Sequence, residues 1–271
     1  MPDNHSSPHA YNPRTIGFIN YIGLLTLVKR EVGRFLKVYS QTIIAPVVTT
    51  LLFYTVFALA FGGVARQVGD VPFLQFLAPG LIMMTMAQNA FANTSSSLII
   101  GKIQGNIIDI LMPPLSSLEI FIGFLAGGVL RGLCVGFVAV LIIGLFVHLP
   151  VASIGLILIY AVLGNIMMAT MGIVAGVWAD KFDHIAAFTN FFVTPLTFLS
   201  GTFYSIEILP EPWHLMALYN PFYYMIDGFR SGFIGHADEF AVTGILFLLV
   251  TDLLLMGVTY LMLKSGYKIK S

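Results

Sequence analysis

The chain is short of charge. Of its 271 residues, 13 are Lys or Arg and 13 are Asp or Glu; charged residues make up 10% of the chain, against about a quarter in soluble domains. The formal net charge is zero, which excludes a global basic field for nucleic acid. Cysteine is nearly absent. Cys134 stands alone inside an apolar run, so neither a disulfide framework nor a Cys-based zinc site is expected. There is no GxxxxGKS/T phosphate loop; Gly101-Lys102 comes nearest but lacks the preceding glycine and strand. HExxH and GxSxG are missing too, and His148, His184, His214 and His236 stand at or near the ends of apolar runs, without ligand spacing. ATP hydrolysis, metal chemistry and intramembrane hydrolysis by this chain are therefore not expected. The first residues lack the charged-then-apolar order of a secretory signal. Residues 1–20, with His5 and His9, read as a disordered tail.

What the chain has is apolar length. Hydrophobic residues make up 58% of it and the mean hydropathy is +0.90. Six runs of about 20 apolar residues predict membrane spans: Thr42–Phe61, Phe73–Ser97, Glu119–Val147, Ser153–Trp178, Ile185–Phe203 and Phe240–Leu263. The expected fold class is an all-α membrane protein with six transmembrane helices over residues 41–264 and a short tail at 265–271. In that arrangement Arg14, Lys29, Arg30, Arg34, Lys37, Lys102, Lys181, Lys264, Lys268 and Lys270 all fall on one side, leaving Arg66 and Arg230 on the other. The positive-inside rule then places both termini in the cytoplasm.

Before the first run, residues 21–40 predict an amphipathic basic helix. Leu25, Val28, Val32, Phe35 and Leu36 form its apolar face, and Lys29, Arg30, Arg34 and Lys37 the rest. It reads either as a topogenic signal or as an element that docks a partner. The connector 98–118 predicts a short helix with Ile103, Ile107, Ile108 and Leu111 on one face, stopped by Pro113-Pro114. That is an interfacial loop or a half-apolar peg for a groove on a partner.

Between the fifth and sixth runs, FLSGTFYSIEILPEPWHLMALYNPFYYMIDGFRSGFIG is too apolar for a soluble loop. With Pro210, Pro212 and Pro221, and an Asp227-Gly228-Phe229-Arg230 turn, it is too broken for a clean helix. Were it to cross the bilayer, the basic C-terminus would lie outside, so 204–239 is expected to be re-entrant or interfacial on the external face. Two charges fall mid-span, Arg131 and Asp252, and are expected to face the protein interior. They form either a pair locking two helices or a proton or substrate site. Gln88, Asn89, Asn93 and the Thr94-Ser95-Ser96-Ser97 run make the second span polar, for interhelical hydrogen bonds or for one wall of a substrate path. Pro46, Pro79 and Pro195 interrupt spans one, two and five. Gly123/Gly127, Gly128/Gly132/Gly136 and Gly172/Gly176 repeat at intervals of four, a spacing for close helix contact.

Residues 20–265 together resemble the membrane subunit of ABC-2 type exporters, the permease class of bacterial polysaccharide, lipid and multidrug transporters. The resemblance rests on the basic helix around Lys29 to Lys37, the six spans, the connector GKIQGNIIDILMPPLS, and the segments FLSGTFYSIEILPEPW and NPFYYMIDGFRSGFIG. It implies a homodimer in the bacterial inner membrane, contacting lipid, with two copies of an ABC ATPase docked beneath. No nucleic acid is implied. This chain would hold no cofactor and no catalytic residue, with ATP and Mg on the partner. Residues 21–40 would be the elbow helix and 98–118 the coupling helix, with Lys102, Gln104, Asn106, Asp109, Arg30 and Arg34 meeting the ATPase. Gln88, Asn89, Asn93, Asn190 and Thr194 would line the substrate path. Gly201, Tyr204, Trp213, Asn220, Tyr223, Asp227 and Arg230 would form an external cap. The cargo implied is amphipathic or lipid-linked: a glycolipid, a polysaccharide precursor or a drug. The rival readings are a proton-coupled secondary carrier using Asp252 and Arg131, and a non-transport membrane scaffold.

Overall fold

The structure, a computed structural model, describes residues 17, 19–61, 67–68, 71–235 and 238–268. Helix α1 (Tyr21–Lys37) leads through a π-helical turn (Ser40–Ile44) into α2 (Ala45–Phe61). A two-stranded antiparallel ribbon follows: β1 (Gln67–Val68) pairs with β2 (Val71–Pro72), Gln67 opposite Pro72. It runs into α3 (Phe73–Ile103), and then come α4 (Ile108–Leu111), α5 (Ser117–Gly144) and α6 (Ile154–Trp178). Next, α7 (Phe182–Phe188), a second π turn (Thr189–Val193) and α8 (Thr194–Phe198) form one continuous rod. A 3-10 turn (Ile206–Ile208), α9 (Trp213–Leu218) and α10 (Pro221–Ile234) precede α11 (Asp238–Ser265).

Among the described residues, four helical runs are long and apolar enough to cross a membrane: Ser40–Ala60, Ser117–Gly144, Ile154–Trp178 and Ala241–Ser265. The other two expected spans correspond to α3 and to the rod 182–198. At 31 residues α3 is long enough, about 46 Å at 1.5 Å per residue, but its polar tract dilutes its hydropathy. The rod stops at Phe198, short of the expected Phe203.

Both π turns end at a proline. Pro46 and Pro195 sit in the first turn of the α segment that follows. A proline has no N–H and its ring crowds the carbonyl four residues back; widening the preceding turn by one residue relieves both. Pro79 lies within α3. The expected interruptions are thus local turn adjustments in spans one and five. At the first joint Thr42 Oγ1 donates to the Phe35 carbonyl at 2.7 Å and the Val38 carbonyl at 3.1 Å, tying α1 to α2.

The core forms where α3 meets α5 and α6. Leu77, Ile82, Met83, Met167 and Met168 are fully enclosed there. The small residues make this approach possible. A Cβ at Gly132 would fall on Asn165 Oδ1, and one at Gly172 on Thr94 Oγ1 and the Phe91 carbonyl. The space a side chain would fill is occupied by side-chain and backbone atoms of the neighbouring helix, as small-residue contacts between membrane helices require. By contrast only 17% of the Ser40–Ala60 span and 22% of the Ala241–Ser265 span is buried, against 56% of Ile154–Trp178. The outer helices α2 and α11 therefore present broad apolar faces.

Gly172→Val should push α3 off α6 at a cost of about 1–3 kcal/mol. The check is the thermal midpoint of the purified protein in detergent; a midpoint equal to wild type would show that this contact has slack.

Candidate functional site

One end of the bundle is built around Lys102. Its ammonium donates to the carbonyls of Val177 at 2.9 Å and Ala179 at 2.6 Å, closing the last turn of α6, and lies 3.8 Å from Asp180. Lys268 donates to the other Asp180 oxygen at 2.7 Å and to the Trp178 carbonyl at 3.2 Å. The bond from Lys268 holds the Asp180 carboxyl below the usual carboxylate range, and the same bond raises Lys268. Burial pulls Lys102 down, partly offset by Asp180. Lys102, expected to meet a partner, is instead a cap for α6, and Lys268, expected in a free tail, is tied back to the bundle.

Beyond Lys102 the chain turns at Gly105, whose φ of +74° favours glycine, and makes the single helical turn α4. The helix expected across 98–118 is thus two pieces, because α3 runs on to Ile103. Ile107 and Ile110 plug inward against Leu27, Leu98, Phe121 and Phe124, while Ile103, Ile108 and Met112 are exposed. Gln104, Asn106 and Asp109 are exposed beside them, with Asn106 donating to Gln104 at 3.2 Å. This tip is fastened to α1. The Glu119 carboxylate accepts from the Ser116 backbone N–H at 2.6 Å and its hydroxyl at 2.7 Å, and from the Asn20 N–H at 2.5 Å. Asn20 also reaches the Pro114 carbonyl at 3.2 Å and caps α1 through Gly23.

α1 itself lies on α5 and α3 by a stripe that differs from the expected one. Leu27, Glu31 and Phe35 are buried, whereas Leu25 and Leu36 are exposed. Gly123 and Gly127 of α5 leave the hollows that Leu27 and Glu31 enter. Arg34, expected to face a partner, turns inward: Nη2 reaches the Asn93 carbonyl at 2.7 Å, Asn93 Oδ1 at 3.0 Å and Glu31 at 3.2 Å, and Nη1 reaches Ser96 at 3.3 Å. Ser97 closes the group by donating to Glu31 at 2.8 Å. Arg30 remains exposed. Glu31 was not singled out in the sequence; the available signal was an acid spaced four from both Leu27 and Phe35 on a basic helix.

The expected path residues therefore separate. Asn93 is enclosed against Arg34, and Asn89 accepts from Arg131 Nη2 at 2.9 Å; both serve helix contacts. Gln88 and Asn190 are exposed and Thr194 is half-buried. The pairing of Arg131 with Asp252 is not made. Arg131 is taken by Asn89, and both Asp252 carboxylate oxygens are buried without a hydrogen-bond partner.

The opposite end is built around Arg230. Its Nε donates to the Phe76 carbonyl at 3.1 Å, Nη2 to the Gly201 carbonyl at 2.8 Å and more weakly to Thr202, and Nη1 to Asp227 at 3.3 Å. The guanidinium also stacks 3.7 Å over the Phe76 ring. One side chain thereby joins α3, the 199–205 turn and α10. Asn220 caps α10 through Phe222 and donates to the Leu196 carbonyl at 2.7 Å. Tyr204 donates to the Phe198 carbonyl at 2.9 Å. Gly201 has φ +71°. Trp213 is exposed and apart from this group. Asp227-Gly228-Phe229-Arg230, expected as a turn, lies inside α10. Its glycine is there for space, because a Cβ at Gly228 would fall on the Tyr160 ring. Tyr160 in turn donates to the Ala241 carbonyl at 2.5 Å, tying α6 to α11. The expected roles of Arg14, Arg66, His236 and Lys270 lie outside the described residues. Among the described residues no three His, Cys, Asp or Glu side chains gather to hold a metal.

A family model described as ABC-2 type transporter matches residues 23–234. The inner membrane transport permease YadH of Escherichia coli (strain K12) is 37% identical over 223 residues, 82% of this chain and 87% of that protein. Nodulation protein J of Rhizobium leguminosarum bv. viciae is 26% identical over 185 residues, 64% of this chain and 68% of that protein. The same-named protein of bv. trifolii is 23% identical over 231 residues, 81% of this chain and 83% of its own length.

Two outcomes are expected. Arg230→Lys keeps the charge and loses the fork, costing the 199–205 turn about 1.5–3 kcal/mol of local stability; faster amide exchange there, with α6 unchanged, is the readout. The Asp180–Lys268 bond gives a pH window. The depressed Asp180 contributes above its unfolded pKa and is lost as pH falls through its folded value. The raised Lys268 contributes below its unfolded pKa and is lost as pH rises through its folded value. Protection of residues 177–184 should therefore be level between about pH 5 and 9 and fall below about pH 4. A decline centred near neutrality would contradict this assignment.

Proposed function

The chain belongs to the ABC-2 type transporter family, and from that membership we propose that it is the membrane permease of an ATP-driven exporter in a bacterial inner membrane. Membrane transport by a non-catalytic subunit is what the family supports. The finer reading is that two copies pair and two ABC ATPase subunits, holding ATP and Mg, dock beneath them. In it the Lys102 end is cytoplasmic, both termini lie on that side, and α3 and the rod 182–198 complete six spans. The cargo is amphipathic or lipid-linked, a glycolipid, polysaccharide precursor or drug, and lipid surrounds the pair.

The observation that carries the reading is the tip at residues 103–114. Apolar Ile103, Ile108 and Met112 are exposed beside the polar Gln104, Asn106 and Asp109. Exposed apolar residues with a polar rim mark an interaction surface. The same tip is anchored rigidly behind its contact face by Ile107 and Ile110, and fastened to α1 by Glu119 and Asn20. A push on this tip is therefore delivered to α3, α5 and α1 together. In this role Lys102 and Arg34 are the framework of the docking site, while Ile108, Asp109 and Met112 touch the ATPase. The broad apolar faces of α2 and α11 suit lipid and a second copy.

Ile108→Asp combined with Met112→Glu should cut retention of the ATPase on affinity purification about tenfold, roughly 1.4 kcal/mol, with membrane insertion and thermal midpoint unchanged. Undiminished retention and full transport by this variant would remove the tip from the docking role.

A further inference from the structure

At the Arg230 end a cavity of about 320 Å³ lies between α10, the start of α11, α6, the β1–β2 ribbon and the 201–207 turn. It is contained within one copy of the chain. Its volume is at the lower end of the roughly 300–1,000 Å³ of small-molecule sites, so it suits a compact ligand. The rings of Tyr204, Tyr223 and Tyr224 supply its aromatic walls, with the fully enclosed Tyr160 behind them. Tyr223 meets Tyr224 edge-on at 5.1 Å, and Tyr224 is stacked on Phe247 at 4.5 Å. These rings are held in place before any ligand arrives.

Charge in this cavity is unevenly available. Arg230 lines it, but its N–H groups are committed to the Phe76, Gly201 and Thr202 carbonyls and to Asp227. It therefore has little left to offer an anion. The carboxylates are freer. Asp227 accepts one long bond, 3.3 Å, on Oδ1, and its side chain is 40% exposed. Glu207 is exposed, and its carboxylate has no partner among the described residues. Tyr223 is influenced by both acids; burial first, then Asp227, pushes its phenol up, so the ring remains neutral. Two acids with free lone pairs, one committed guanidinium and three partly accessible tyrosine rings describe a site for positive charge on a compact body. Aromatic faces attract ammonium groups, and carboxylates complete the recognition by charge-assisted hydrogen bonds.

We propose that the cavity between Tyr204, Tyr223, Asp227 and Glu207 is a binding site for a small organic ammonium ion. Tyrosine rings hold the body of the ligand while Asp227 and Glu207 receive its N–H groups. The site stands apart from the transport reading, since its occupancy needs neither an ATPase nor a gradient.

The test is a ligand-observed NMR titration of the full-length protein in lipid nanodiscs, with empty nanodiscs subtracted. The probes are benzylammonium, benzyl alcohol, benzoate and N-acetylglucosamine. Benzylammonium should bind at least about tenfold more tightly than benzyl alcohol, and benzoate should not bind. Glu207→Gln and Asp227→Asn should each weaken benzylammonium about three- to tenfold, and the double variant about ten- to a hundredfold. Thermal midpoints establish that the variants are folded; should Asp227→Asn fail to fold, Glu207→Gln at its exposed position decides alone. Equal binding of the alcohol and the ammonium, binding of benzoate, or benzylammonium affinity unchanged in Glu207→Gln would overturn the proposal. Displacement of benzylammonium by N-acetylglucosamine in the wild type and the Glu207→Gln variant alike would overturn it too, in favour of a saccharide site.

Discussion

Glu31 sits where no water can replace its partners, with Arg34 paired to it from a half-buried position, and much of the architecture follows from that. An ionised group removed from water must be paired and hydrogen-bonded or it is strongly unfavourable. Here α1 brings both signs, and α3 supplies Asn93, Ser96 and Ser97 to complete the set. The polar tract of α3 is therefore half of an interlock whose other half is on the first helix. Arg131 also draws on α3 deeper in the bundle, taking Asn89. A helix this polar can be central because its neighbours enclose it.

The same helix connects the two ends. Lys102 near its C-terminus closes α6, and the Phe76 carbonyl in its first turn receives Arg230. Between these anchors it packs tightly on α5 and α6 through glycine contacts. Such an element shifts as a unit more easily than it bends, because close-packed interiors do not deform gradually. Displacement at the tip is thus geometrically linked to the Arg230 end. The two π turns lie in helices that are less enclosed, where a proline has already removed a backbone hydrogen bond.

The coarse architecture was legible because hydropathy acts over whole segments. The long apolar runs of α2, α5, α6 and α11 correspond closely to the structure, and the broken segment after Phe198 became two short helices and a 3-10 turn. Individual roles were harder to read. Lys102 and Arg34 have the composition of surface residues, yet each bends back to a carbonyl or an amide that no local pattern reveals. Asp227-Gly228 has the signature of a turn, but the glycine answers to Tyr160, nearly seventy residues earlier in the chain. Arg131 and Asp252 were matched by depth alone, and depth along two helices does not determine which way either side chain points. Gly201 and Asp227 meet at Arg230, whereas the cavity beside them also draws on the β1–β2 ribbon and α3, which the segment does not contain.

The seat of α1 has a consequence for the order in which the protein is made. Glu31 emerges from the ribosome long before Ser97 and Gly127, which complete its surroundings. At about 5–20 residues per second, the roughly one hundred intervening residues take on the order of 5–20 s. During that interval the first helix has no place in the bundle, and its carboxylate must stay in contact with water. Its basic residues and exposed leucines let it wait at the membrane surface. Helix α1 therefore cannot reach its final position until α3 and α5 have been made, and its docking marks the point at which those two have come together.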